Sequence, residues 1–197
     1  MRLFVAAEID ASLVDTAVQL IAELRDRAAR LAPHARITWL TAERVHLTLA
    51  FIGHVDATRL PAIQRSLQPP LTARPFEIGL RGLGAFPDRG RPRVIWAGLD
   101  RGRDDLTALA GELTARLGST GVPVDDRPHQ PHLTLARVRD AGGLRTSTLF
   151  AGLEQVALGT MEVRAITLFE SRLSPAGAIY QPLVKSHLGA ARNESSV

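Results

Sequence analysis

The sequence predicts a mixed α and β domain built from two pseudo-equivalent halves, and three observations predict it. The pentapeptide HLTLA occurs at residues 46–50 and again at 132–136. Strands and helices recur in the same order around each copy. The leading histidine also stands at nearly the same distance from an acidic residue in a later strand, 31 residues from His46 to Glu77 and 30 from His132 to Glu162. A five-letter match in a chain rich in leucine and alanine can be chance; a match together with a shared order of elements is a duplication.

The chain has 197 residues, 45% of them hydrophobic and 22% charged, enough for one sizeable core or two small lobes sharing one. No apolar run approaches the roughly 20 residues of a membrane span. The N-terminal MRLFVAAEID turns acidic before a signal-peptide core could form, so a cytoplasmic protein without membrane contact is expected. There is no cysteine. Disulfides, thiolate metal sites and cysteine nucleophiles are therefore excluded.

RLFVAAEI reads as a strand. In the segment after it, Leu13, Ala17, Leu20, Ile21, Leu24, Ala28 and Leu31 recur at helical spacing, with Asp10 or Ser12 placed to cap the start and Pro33 to stop the end. VHLTLAFIG is a strand, DATRLPAIQRSL a short helix begun near Asp56, and FEIGLRGLGAF a strand set off by the proline-rich PPLTARP. From Arg91 the order repeats, with RPRVIWAGLD as a strand and then a helix ended by Gly118 or Gly121. HLTLARV is the next strand, followed by a short irregular piece over 143–153 and by MEVRAITLFESRL as one strand. SPAG marks a turn before the closing strand AIYQPLVKSHL. The halves are about 1–86 and 91–173, the domain is 1–188, and the tail 189–197 is expected to be disordered.

Strand alternation places His46, Thr48 and Ala50 on one face and Leu47, Leu49 and Phe51 on the other, and the second motif likewise. One histidine on an apolar strand is most simply a packed residue. Two copies of His plus Thr invite another reading, because one imidazole that accepts a proton and one that delivers it suit a reaction near neutral pH. Two His with two Thr lack the third ligand that zinc or iron sites use, so no metal or other cofactor is expected. GxSxG, GxxxxGK[ST] and GxGxxG are all absent. Thr hydroxyls with Arg137 suit an anionic phosphorus centre with charge on its equatorial oxygens, although strict alternation puts Arg137 on the face opposite His132.

The duplicated H-x-T-x motif, with RLFVAAEI, VHLTLAFIG, PHLTLAR and LFESRLSPAGAIY around it, resembles the 2H phosphoesterase superfamily. Within it the chain is similar to the RNA 2′,3′-cyclic phosphodiesterases, historically called 2′-5′ RNA ligases, over about residues 2–185. The resemblance implies a bilobed α+β fold of pseudo-two-fold symmetry, with two antiparallel sheets flanking a central groove and helices outside. It implies His46 as proton donor, His132 as proton acceptor, and Thr48, Thr134 and Arg137 as phosphate contacts. The implied substrates are RNA ends or nucleotides bearing a 2′,3′-cyclic phosphate, opened to a 2′-phosphate without a metal by a monomer needing no protein partner, with reverse 2′-5′ ligation through the same transition state. Small cyclic nucleotides, linear 2′-5′ oligonucleotides and a cyclic ADP-ribose phosphate are alternative substrates; a noncatalytic RNA-end binder is the alternative of another class.

His129 and Phe169 stand where the family commonly has aromatic residues and tyrosine, respectively; His129 is read as an exposed loop residue, and Tyr180 and Ser171 as packing positions. The net charge is +4, and Lys185 is the only lysine among 24 basic residues. The densest basic run, PDRGRPRV at 87–94, reads as a solvated loop, with contact to a phosphate backbone as the other reading.

Overall fold

A computed structural model describes residues 1–124, 129–175 and 177–189 of the chain. The expectation for the tail beyond Gly189 falls outside the described residues, as does Ala176 in the SPAG turn. In chain order the elements are β1 (Arg2–Glu8), α1 (Ala11–Leu31), β2 (Arg36–Trp39), β3 (His46–His54), α2 (Leu60–Leu67), β4 (Phe76–Phe86) and β5 (Val94–Arg101). There follow α3 (Arg103–Gly118), β6 (Leu133–Asp140), α4 (Thr146–Leu149), β7 (Ala157–Val163), β8 (Ala165–Ser174) and β9 (Gly177–His187).

Local chemistry accounts for the helices. Six of the seven periodic residues of α1 are buried, and Leu31, on its last turn, is the exception at 48% exposed. Asp56 accepts hydrogen bonds from the Thr58 backbone N–H and hydroxyl, closing the 3-10 turn that leads into α2. Gly102 enters α3 at φ 72°, and a Cβ there would sit 2.5 Å from the Glu77 carbonyl oxygen, so glycine is required by both backbone and space. Asp104 and Asp105 then place negative charge at the positive end of α3.

The strands form two antiparallel sheets, β3-β1-β8-β9 and β2-β6-β5-β4-β7. Apart from β2, the second sheet repeats the first: β6 takes the place of β3, β5 of β1, β4 of β8 and β7 of β9. Each half therefore sends its last long strand, β4 or β8, into the other half's sheet. The helices cross over as well. α1, which follows β1, packs on β6 and β7, whereas α3, which follows β5, packs on β3. Buried side chains from Leu3 to Leu188 join in one apolar cluster drawn from both sheets.

Two features differ from the sequence reading. MEVRAITLFESRL is two strands: the chain turns at Arg164, leaving one sheet and entering the other. The only mark of the corner in the letters is a change of phase at Ala165–Ile166, which a bulge within one strand would produce as well. As a result Glu77 and Glu162 are direct cross-strand partners on β4 and β7, not equivalent points of two repeats. β2 is the other addition, a four-residue edge strand with no fully buried residue and hence little apolar signal.

Candidate active site

The two HLTLA strands face one another across the groove between the sheets. Each leads with a half-buried histidine, followed by a buried leucine, a half-buried threonine, a buried Leu-Ala pair and an exposed residue, Phe51 or Arg137. Leucines anchor the strands in the core, and His and Thr face the groove, as the two-residue period requires.

Both strands break that period at the same place. Ala6 pairs with Thr48 but Val5 pairs with Ala50, so Leu49 has no partner on β1. Trp96 pairs with Thr134 but Ile95 pairs with Ala136, so Leu135 has none on β5. These are bulges, in which one extra residue resets the alternation beyond it. Leu49 and Ala50 are both buried at 3% and 6%, Leu135 and Ala136 both at 0%, and the next residue turns to the opposite face. Arg137 consequently joins His132 and Thr134 on the groove face, where strict alternation excludes it. Phe51 takes the matching place in the first sheet, its ring centroid 6.5 Å from that of Phe4, on the groove face and not with Leu47 and Leu49.

The imidazoles are oriented alike. His46 donates from Nδ1 to the Arg44 carbonyl at 2.7 Å, and His132 from Nδ1 to the Gln130 carbonyl at 2.6 Å, each two residues back along its own chain. A carbonyl accepts only, so Nδ1 carries the proton and, in the neutral ring, Nε2 holds the free lone pair. Burial pushes His46 down to about 4, opposed by the Arg44 carbonyl and reinforced by the positive charges of Arg137 and His132. Burial lowers His132 too, against the Gln130 carbonyl and with help from His129 and Arg137. Arg137 thus acts electrostatically on both histidines, and the charge of His132 in turn disfavours a proton on His46.

Aromatic rings wall each imidazole, a feature the strand pattern does not announce because the rings come from distant strands. Around His46, Phe4 lies at 4.9 Å and Tyr180 edge-on at 5.1 Å, and Phe169 stacks on Phe4 at 5.3 Å. Around His132, Phe86 lies edge-on at 5.1 Å and Trp96 at 6.2 Å. Phe169 and Tyr180 are therefore part of the site wall, and Ser171 is the strand partner of Tyr180. His129 is not an exposed loop residue. It is half-buried and donates from Nε2 to the Thr48 carbonyl at 2.9 Å, tying the entrance of the second motif to the first. Among the described residues no group of three His, Cys, Asp or Glu is arranged to hold a metal ion, and no helix is long and apolar enough to cross a membrane.

Residues 13–174 match the family model described as the 2′-5′ RNA ligase superfamily. The chain is 33% identical to the RNA 2′,3′-cyclic phosphodiesterase of Archaeoglobus fulgidus over 183 residues, covering 93% of this chain and 98% of that protein. It is 37% identical to the protein of the same description from Aeropyrum pernix, covering 83% and 92%. Among solved structures, E. coli LigT complexed with 3′-AMP superposes with a TM-score of 0.75 at 26% identity, covering 96% of this chain and 98% of that one. TT0787 of Thermus thermophilus superposes with a TM-score of 0.72 at 28% identity, covering 95% and 98%.

Proposed function

The chain belongs to the 2′-5′ RNA ligase superfamily, and from that premise we propose that it opens terminal 2′,3′-cyclic phosphates of RNA to 2′-phosphates by two-histidine acid/base catalysis. The observation that carries the proposal is the matched pair of imidazoles, each with Nδ1 committed to the carbonyl two residues back. That commitment leaves two Nε2 atoms for a substrate held in the groove between them.

In the step proposed, His132 Nε2 takes a proton from a water whose oxygen bonds to phosphorus. The bond from phosphorus to O3′ breaks, and His46 Nε2–H delivers its proton to the leaving oxygen. His46 ends neutral and His132 protonated, and exchange with solvent restores both. Depression of His46 to about 4 leaves its ring neutral at pH 7 in the free protein, and the negative phosphate raises that value on binding. The same depression makes the His46 imidazolium a strong acid, suited to protonating an alkoxide, whereas a base must remain unprotonated. Thr48 and Thr134 hydroxyls donate to the nonbridging oxygens, and Arg137 balances the charge that builds there. The imidazoles supply the proton transfers and the Thr hydroxyls with Arg137 the charge stabilisation, so the step is complete without a metal. With an RNA 5′-hydroxyl in place of water as the group that bonds to phosphorus, the same ring opening, with O3′ leaving, joins two RNA ends through a 2′-5′ linkage. Both motifs come from one chain, so a single copy of the bilobed unit over residues 1–188 holds both imidazoles.

An end-labelled oligoribonucleotide carrying a 2′,3′-cyclic phosphate tests the proposal. Wild-type protein converts it to a 2′-phosphate in the presence of EDTA, and His46→Ala and His132→Ala each lower kcat by about 10²–10⁴. The double variant loses little more than the worse single one, because the two groups act as a unit. A 3′-phosphate product, or full turnover by either variant, would refute the assignment. Binding of the cyclic-phosphate RNA with no product at any pH would instead identify a noncatalytic end binder.

A further inference from the structure

The two sheets are alike in layout, but the groove walls they form differ in charge, and the difference lies in the turn between β4 and β5. That turn leaves Phe86, whose ring lies against His132, and is closed by Arg93 N–H donating to the Phe86 carbonyl at 2.6 Å. Arg89, Arg91 and Arg93 within it are exposed, whereas Pro92 is buried and anchors the loop to the body of the protein. None of the three forms an ion pair with a described residue, although many of the surface arginines elsewhere do, among them Arg27, Arg81 and Arg116. Asp88 is the only carboxylate in the turn. The Arg93 carbonyl accepts from Val138 N–H, and the adjacent Val94 pairs with Arg137 on β6. The turn with its three exposed arginines therefore begins one residue beyond the Val94–Arg137 pair, at the end of the strand that brings Trp96 to His132. Trp96 is level with Thr134, and three residues of strand from Trp96 to Arg93 span about 10 Å. In the other sheet Phe51 takes the place of Arg137, and on β8 Leu173 is exposed to 87% beside Arg172, which is paired with Glu170.

We propose that the β4–β5 hairpin is the binding site for the RNA strand upstream of the reacting end, with Arg89, Arg91 and Arg93 engaging its internal phosphates. Arginine forks on an exposed turn suit phosphate diesters, and these have no ion-pair partner among the described residues to surrender when they bind. Polymeric RNA then binds more tightly than a cyclic mononucleotide that has the same reacting phosphate, and the chain emerges from the groove over the second sheet. This rests on the cyclic-phosphate reading above.

The test compares two substrates, adenosine 2′,3′-cyclic phosphate and a ten-nucleotide RNA ending in a 2′,3′-cyclic phosphate, across a range of salt concentrations. With wild-type protein, KM for the oligonucleotide is lower and rises steeply with salt. The triple variant Arg89→Ala, Arg91→Ala, Arg93→Ala raises that KM about tenfold at low salt and flattens the slope of log(kcat/KM) on log[salt] by about 0.7 for each phosphate that an arginine no longer holds. Its kcat on either substrate and its KM for the mononucleotide stay unchanged. The corresponding triple lysine variant keeps most of the salt slope, which separates charge from loop shape. An unaltered oligonucleotide KM in the alanine variant, or an equal loss on both substrates, would overturn the hairpin assignment. Absence of turnover on both substrates by the wild type would instead overturn the cyclic-phosphate reading.

Discussion

Arg137 carries a charge that disfavours the imidazolium form of both histidines. With both depressed, kcat/KM of the free protein is greatest on the acid side of pH 6.5, between about 4 at His46 and the lowered value at His132. Arg137→Gln removes one cation, so both imidazoles hold protons more firmly and the whole profile moves to higher pH. The same change removes a contact to the transition-state phosphate and lowers kcat by about 10²–10³. A pH series of initial rates reads both effects, and a lower kcat with an unmoved profile would separate Arg137 from the histidines. His46, Thr48, His132 and Thr134 were legible in the sequence because a two-residue period sends them to one face, and the duplication says that the face matters. The groove placement of Arg137 was not legible. It depends on Leu135 being left without a partner on β5, and nothing in the letters HLTLAR distinguishes a bulge from a regular strand.

At the scale of elements, strands and helices with strong periodicity were readable, and corners and edges were not. The sheet change at Arg164 is hidden because the phase shift at Ala165–Ile166 reads equally as a bulge in one strand, and β2 because an edge strand buries little. The aromatic walls were equally hidden: Phe4, Phe169 and Tyr180 meet at His46 only after β1, β8 and β9 have paired. On β4 the wall around His132 depends on a missing side chain. A Cβ on Gly84 would lie 2.2 Å from the Trp96 indole, so the ring covers the glycine directly. Gly84→Ala displaces Trp96 and destabilises the protein by about 1–3 kcal/mol, the usual cost of overpacking. Denaturant unfolding measures it, and the shifted ring also disturbs His132, lowering kcat more than it raises KM. Gly111, on α3 with open space around its Cβ position, serves as the control: Gly111→Ala is neutral or stabilising because it gains helix propensity. Equal costs at the two positions would show that Trp96 does not depend on the close approach.

For the whole molecule, the crossing of β4 and β8 between sheets joins both halves in one apolar cluster, so placing two imidazoles in the groove draws on the stability of the entire fold. His46 shows the direction. Its folded value, about 4, lies below the ordinary imidazole value near 6.5. Above that ordinary value the ring is neutral both folded and unfolded, and it contributes no pH dependence. As pH falls below it, the unfolded chain takes up a proton that the folded protein refuses, and stability declines until about 4, where the folded ring is protonated as well. The full decline due to this residue is on the order of 3 kcal/mol. His46→Gln, which keeps a polar side chain without the titration, removes that component. Compared with wild type by urea unfolding from about pH 7.5 to about pH 4, the variant is relatively more stable the lower the pH, and the difference between them is constant above about 6.5. Inorganic phosphate, bound in the groove and favouring the imidazolium, reduces the decline in wild type but not in the variant. A stability difference that does not change with pH would mean that His46 is not held neutral by burial, and the acid role assigned to it would lose its physical basis.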